Sequence, residues 1–361
     1  VRIARDITGS GLTVELNTEI SLNNLYLADT NGTQRIYIAP GAGGSLRVHG
    51  TNALFDTVSG NFRATVSAPI TLETDLTVDG KYEFTAPIGD DGNARSLVKT
   101  DAGDITLSAT NTYGGETLLR QGVAALGANN AIPDTSVVNL SNTTTTATLS
   151  LSGFSDTIAG LRSTGNQKHK VQNGSAANPS TLTIAVPAGQ TYAYTVSQSD
   201  AGILNGGAAV LNVVKDGEGT QILSGAKSYT GYTAVKAGTL DLGATSNHLA
   251  SALIVLEGGT LDVDGAAYVM PAGQTNRWVL NPAGPSTGLL KAGTLNIAGG
   301  VVDFATVGPL GDETFVLAEY TNLIGEAFAA VHNLPATLII HYTYQGNKIA
   351  LRPIRTVFIV R

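Results

Sequence analysis

Apolar residues recur at every second position in short runs along almost the whole chain. Examples are LTVEL (Leu12–Leu16), DITLSA (Asp104–Ala109), ATLSLSG (Ala147–Gly153), TLTIAV (Thr181–Val186), YAYTVS (Tyr192–Ser197) and GTLDVDG (Gly259–Gly265). That alternation sends one row of side chains inward and one outward, which is the strand period, and it predicts an all-β chain. Between the runs lie Asn-Gly at Asn31, Asn173 and Asn205, and Asp-Gly at Asp79, Asp91, Asp216 and Asp264. Such pairs tolerate the positive φ of tight turns. The best helical candidate, Leu118–Ile132, is interrupted by Gly122 and Gly127 and has no N-cap box, so it reads as two strands and a turn.

Internal comparison adds a second layer of order. The stretch Leu97–Gly127 aligns without gaps on Val213–Gly243, matching Lys99 to Lys215, Gly103 to Gly219, Tyr113 to Tyr229, Thr117 to Thr233 and Gly122 to Gly238. The string KAGTL, Lys236–Leu240, returns at Lys291–Leu295, and PAGQT occurs after both Val186 and Met270. The offsets differ, so the chain consists of cassettes of unequal length. A β-sandwich and a β-solenoid both accommodate them. The solenoid is favoured because the recurring unit is strand–turn–strand, with Leu and Val stacking inside and Gly at the corners. In that arrangement the repeated Lys of KAGTL is solvated surface, beside a Gly corner.

The residues LSATNTYGGETLL with GVAALG, and LSGAKSYTGYTAVKAGTLDLG, resemble the autotransporter-associated β-strand repeat of bacterial passenger domains. The likeness covers two full copies and the partial copy at Lys291–Leu295, and the closing stretch Glu313–Pro353 is similar to the segment that commonly ends such proteins. Residues before about Asp75 share only the style. The first copy departs from the usual repeat at Tyr113-Gly114-Gly115, which lacks the preceding Thr, and at Val123-Ala124. The resemblance implies a right-handed parallel β-helix with irregular rungs, extracellular or on the bacterial surface, in a structural, adhesive or scaffold role without a catalytic set. It divides the chain into a β region over 1–96, a repeat solenoid over 97–305 and a C-terminal β region over 306–361. No run of ten or more amphipathic strands forms an outer-membrane barrel at the C-terminus.

Composition narrows the partners. Charged residues are 14% of the chain, against about 25% in an average soluble domain, and 43 residues are Gly. A net charge of −7 without basic runs argues against nucleic acid and anionic membranes as partners. The absence of Cys excludes disulfides, thiolate metal sites and Cys nucleophiles. No apolar stretch is long enough to span a bilayer, and no secretion signal opens the chain. Its start at Val1 implies a removed upstream region.

The candidate chemistry is thin. GPSTG, Gly284–Gly288, satisfies the Gly-x-Ser-x-Gly pattern, but Ser286 leads into a strand where a nucleophile elbow needs a helix. Asp90 and Asp91 are adjacent carboxylates such as glycosidases use, without the accompanying elements, and read as turn residues. The five His (His49, His169, His248, His332, His341) have no metal spacing and read as surface groups. Asp262–Gly265 starts like a calcium loop and is not completed. Lys168–Lys170 is a small basic loop, and Trp278, Tyr192, Tyr194, Tyr342 and Tyr344 are candidate sugar platforms or plain strand residues. No cofactor or metal is expected, and the chain is expected not to be an enzyme.

The last candidate concerns assembly. Thr356, Val357, Phe358, Ile359 and Val360 form an uncharged β-rich segment bracketed by Arg355 and Arg361. Such a strand either completes its own fold or adds to a neighbouring copy. The sequence therefore points first to a non-catalytic extracellular β-solenoid that partners itself in fibres or matrix. The alternatives are a surface adhesin binding glycan or a host ligand, and then a carbohydrate-active enzyme.

Overall fold

The structure is a computed structural model that describes residues 1–361 apart from 6, 8–10, 30–33, 58–61, 166–167, 197–200, 245–248, 283–286 and 355–361. Among the described residues every regular element is a strand, as the alternation predicts. Leu118–Ile132 contributes to two strands, Thr117–Leu119 and Gly122–Leu126. Two units are distinguished, one of residues 1–183 with 194–211, the other of 184–193 with 212–361.

Three parallel sheets build the first unit, with eight, nine and four strands. The chain visits them in turn: Asn24–Asp29, Ile36–Pro40 and Ser45–Val48 pair with Ala53–Thr57, Ala64–Val66 and Ile70–Leu72 of the following circuit. Each circuit is one rung of a parallel β-helix. The third sheet ends at Ile88–Asp90, so the rungs of the first repeat copy carry two strands each. Because parallel strands stack in register, inward side chains fall into ladders. One ladder runs Leu25, Phe55, Val78, Lys99, Leu119, Leu140, and every member is at most 2% exposed. Each apolar step of such a ladder is worth about 1.5–3 kcal/mol of burial.

The second unit repeats the device with two sheets. In the first, Leu211–Asp216, Thr233–Val235, Leu253–Leu256, Thr275–Leu280, Val301–Thr306 and Ala330–His332 lie in parallel order. Its inner ladder is Lys215, Val235, Leu256, Trp278, Phe304. The second sheet is parallel from Thr220–Ser224 to Phe315–Ile324. It then reverses: Lys348–Pro353 pairs antiparallel to Phe315–Ile324, and Leu338–Tyr344 antiparallel to Lys348–Pro353. The expected parallel β-helical architecture is thus present in both units, and the sandwich alternative is not.

The Asp-Gly and Asn-Gly pairs turn corners between parallel strands. At the described pairs the Gly takes positive φ, and only Asp264-Gly265 places both residues there. Hairpin turns of the doubly positive type would need both.

Candidate functional site

The repeat cassette organises its surroundings from within. Lys99 and Lys215 share strand parity with Leu97 and Val213, so both side chains point into the inner ladder and are 1% and 0% exposed. A buried ammonium must find acceptors. Lys215 Nζ donates to the carbonyls of Asp216 (2.6 Å), Gly217 (2.6 Å) and Ala237 (3.1 Å), closing the corner of its own rung and touching the next. Burial lowers its pKa to about 8. Lys99 Nζ donates to the Asp101 carbonyl at 2.7 Å and pairs with the Asp101 carboxylate. Burial, with Asp101 and Asp56 nearby, pushes Asp79 on this same corner up to about 6.

A second buried network recurs in both copies. The Tyr113 and Thr117 hydroxyls lie 2.7 Å apart, and Thr117 is 3.0 Å from the Ser136 hydroxyl. Tyr229, Thr233 and Ser251 repeat the chain at 2.8 and 2.6 Å. Beside the first copy Asp156 Oδ2 accepts from the backbone N–H groups of Ala131 (2.9 Å) and Ile132 (3.0 Å). Its Oδ1 is buried without a partner, and burial pushes the carboxyl up to about 6. In the second copy the neutral Gln274 binds the corresponding loop, donating to Leu249 and Ser251 carbonyls at 3.1 and 2.8 Å. These groups are structural: apart from Asp156 Oδ1, the polar atoms named here hold corners.

The candidates raised by sequence are dispersed. Asp90 accepts from the N–H groups of Gly92, Arg95 and Gly114. Burial raises its pKa less than those donors lower it, and Asp91 is held at about 2 by Arg95. A general acid needs a raised carboxyl, so the two are loop-forming. His169 corrects the surface assignment: it is fully buried, accepts the Ala147 N–H at 3.2 Å, and burial lowers its pKa. Lys168 and Lys170 flank it on the surface side. His49 and His332 are exposed, His341 is half-buried, and no three His, Cys, Asp or Glu converge on a metal-sized site among the described residues. Trp278 is buried with Nε1 donating to Leu317 O (3.2 Å), and Tyr194 donates to His169 O (2.7 Å), so neither is a sugar platform. Tyr342 packs on Phe328, and the Arg352 guanidinium covers Tyr344. Ser286, His248 and Thr356–Val360 lie outside the described residues.

Among the concavities lined by described residues, two have walls rich in hydroxyl, amide and charged side chains. One, of about 380 Å³, lies beside the first repeat copy and is walled by Thr110, Thr112, Asn130, Asp134 and Thr135. The other, of about 300 Å³, lies on the second sheet of the second unit, among Asp262, Lys291, Glu319, Tyr320, Thr321 and Asn347. Asp262 and Gly265 of the second belong to the stretch that starts like a calcium loop, and no chemical motif marks the other wall residues. The walls come from several rungs, and linear spacing does not register that.

The chain matches the passenger-associated-transport-repeat family over residues 97–123 and 213–242. These are the two copies found by internal comparison. It is also similar to the adhesin BmaC autotransporter of Brucella suis biovar 1 (strain 1330), with 27% identity over 328 residues. That similarity covers 84% of this chain and 9% of the adhesin, so the chain spans under a tenth of the relative's length. No solved structure matches. The chain carries autotransporter passenger repeats, as its sequence suggested, and passenger repeats place it outside the cell or on the bacterial cell surface.

Proposed function

We propose that this chain is a non-catalytic adhesive segment of a surface-displayed passenger, holding polar surface features on a rigid β-helical scaffold. The observation that carries the proposal is similarity to an autotransporter adhesin along 84% of the chain, well beyond the two repeat copies. The use of Asp90 and Asp91, and of the buried Lys215 and Tyr194, in structural hydrogen bonds agrees with it. This reading takes first place over self-assembly because the similarity is to an adhesin.

The test is adhesion itself. Beads coated with the intact chain are washed over mucin and over epithelial cell monolayers. Retention about tenfold above albumin-coated beads, equivalent to roughly 1.4 kcal/mol, is the expected result. Retention equal to albumin on both surfaces overturns the proposal.

A further inference from the structure

We propose that the concavity on the second sheet of the second unit is a subsite for one neutral saccharide unit. The proposal rests on the adhesive reading above and gives it a place.

The concavity arises from a mismatch between neighbouring rungs. One rung turns a corner, from Thr260–Asp262 through Asp264 and Gly265, both at positive φ, to Ala267–Val269. The following strand, Leu289–Asn296, runs straight past it. It pairs with Thr260–Asp262 through Leu289–Lys291 and with Ala267–Val269 through Thr294–Asn296. Ala292 and Gly293 bridge the corner and form the floor. Gly293 is required here, since a Cβ at that position would lie 1.8 Å from the Gly265 carbonyl oxygen. The partial KAGTL copy thus provides the floor of a depression.

The charged groups of the walls are not all paired across rungs. Lys291 and Asp262 are register partners, yet no ion pair joins them; Asp262 Oδ1 accepts the Asp264 N–H at 2.9 Å instead. Elsewhere opposite charges on neighbouring rungs close, as in Arg47 with Glu19 and Glu73 and in Arg277 with Asp303. Among the described residues the side chains of Lys291, Thr321 and Asn347 have no hydrogen-bond partner. Glu319 is paired with Lys348 at 3.1 Å. Two carboxylates, Asp262 and Glu319, stand with two ammonium groups, Lys291 and Lys348, and Asp241 and Asp264 adjoin Asp262, so the surroundings are of mixed sign with an acidic excess. A phosphate is disfavoured by that excess, and the unpaired Lys291 ammonium opposes an organic cation.

An unpaired ammonium, amide, hydroxyl and carboxylate oxygen together offer donors and acceptors within one small volume. Vicinal hydroxyls use both at once. Gly293 leaves bare backbone at the floor, while the Ala292 and Tyr320 side chains turn into the core, the Tyr320 hydroxyl donating to the Tyr342 carbonyl at 2.6 Å, so a sugar is held here through its hydroxyls. A volume of about 300 Å³ is at the small end of ligand sites, the size of one ring.

Saturation-transfer difference NMR on the intact chain tests this with lactose, maltose, cellobiose and N,N′-diacetylchitobiose, and with 3′-sialyllactose as the charged comparison. At least one neutral disaccharide is expected to give a signal. Lys291→Ala and Asn347→Ala, both at solvent-accessible positions, should each weaken it about tenfold, while Lys236→Ala leaves it unchanged. No signal from any neutral sugar, binding of sialyllactose alone, or full signal in both pocket variants overturns the subsite. Coated beads that adhere when the sugars give no signal leave the adhesive reading standing without this subsite. Sugar signal on beads that do not adhere does the reverse.

Discussion

Lys215 and Lys236 lie 21 positions apart in chain order and face opposite environments. Lys236 is exposed, whereas the Lys215 ammonium satisfies three backbone carbonyls from within the core. Replacing a donor that serves buried acceptors leaves those acceptors unpaired, so Lys215→Met should cost about 2–5 kcal/mol in chemical denaturation. Lys236→Ala should stay within about 0.5 kcal/mol. Equal effects from the two would refute the distinction. Asp156 gives a pH signature. Its folded-state pKa, about 6, lies above the unfolded value, so the folded chain binds the proton more tightly. Its contribution is then greatest at acid pH and declines as pH rises from about 4 to 6. Asp156→Asn should therefore gain roughly 1–3 kcal/mol relative to the unsubstituted chain between pH 4 and pH 7; a difference flat with pH would contradict the assignment. Lys99 and Lys215 share parity with Leu97 and Val213, which is a signal of inward facing. A reading that assigns Lys to solvent by type overlooks that signal.

At the scale of the element, glycine sets where rungs may approach. Gly238, at φ +60°, packs so closely that a Cβ would meet the carbonyl oxygens of Gly219 and Gly217 at 2.3 and 2.4 Å. Gly122 meets Gly103 and Asp101 in the same way in the first copy. Both obstacles are backbone and cannot rotate aside. Gly238→Ala should lower stability by at least about 2 kcal/mol, read from the thermal midpoint, and an unshifted midpoint would remove the close-approach argument. The strands and most corners were legible from alternation and from Asp-Gly and Asn-Gly pairs. The third KAGTL was not: the same five residues that turn a corner at Gly238 lie inside the unbroken strand Leu289–Asn296. Whether Gly bends the chain there depends on the rung beneath it, and a local string does not contain that rung.

For the molecule as a whole, sequence periodicity indicated that rungs stack but not how many strands each holds. The three-sheet rungs before Asp90 and the two-strand rungs of the repeats carry the same period-two pattern. The candidate subsite was illegible for the same reason, because it depends on the unequal paths of adjacent rungs. Adhesion of the intact chain and sugar binding by its pocket variants are the tests at this scale.

The inward lysine also bears on how near-identical rungs are told apart while a chain folds. A slip by one rung would exchange Val235 for Leu256 in the ladder, which apolar packing tolerates at small cost. It would also carry the Lys215 ammonium away from the Asp216, Gly217 and Ala237 carbonyls and strand a charge among hydrocarbons. A single polar group inside an otherwise permissive stack then works as a proofreading mark, as a buried Asn does in a coiled coil. In the Lys215→Met variant the misthreaded alternatives lose their penalty. Limited proteolysis of refolded variant should then yield more than one set of fragments where the unsubstituted chain yields one.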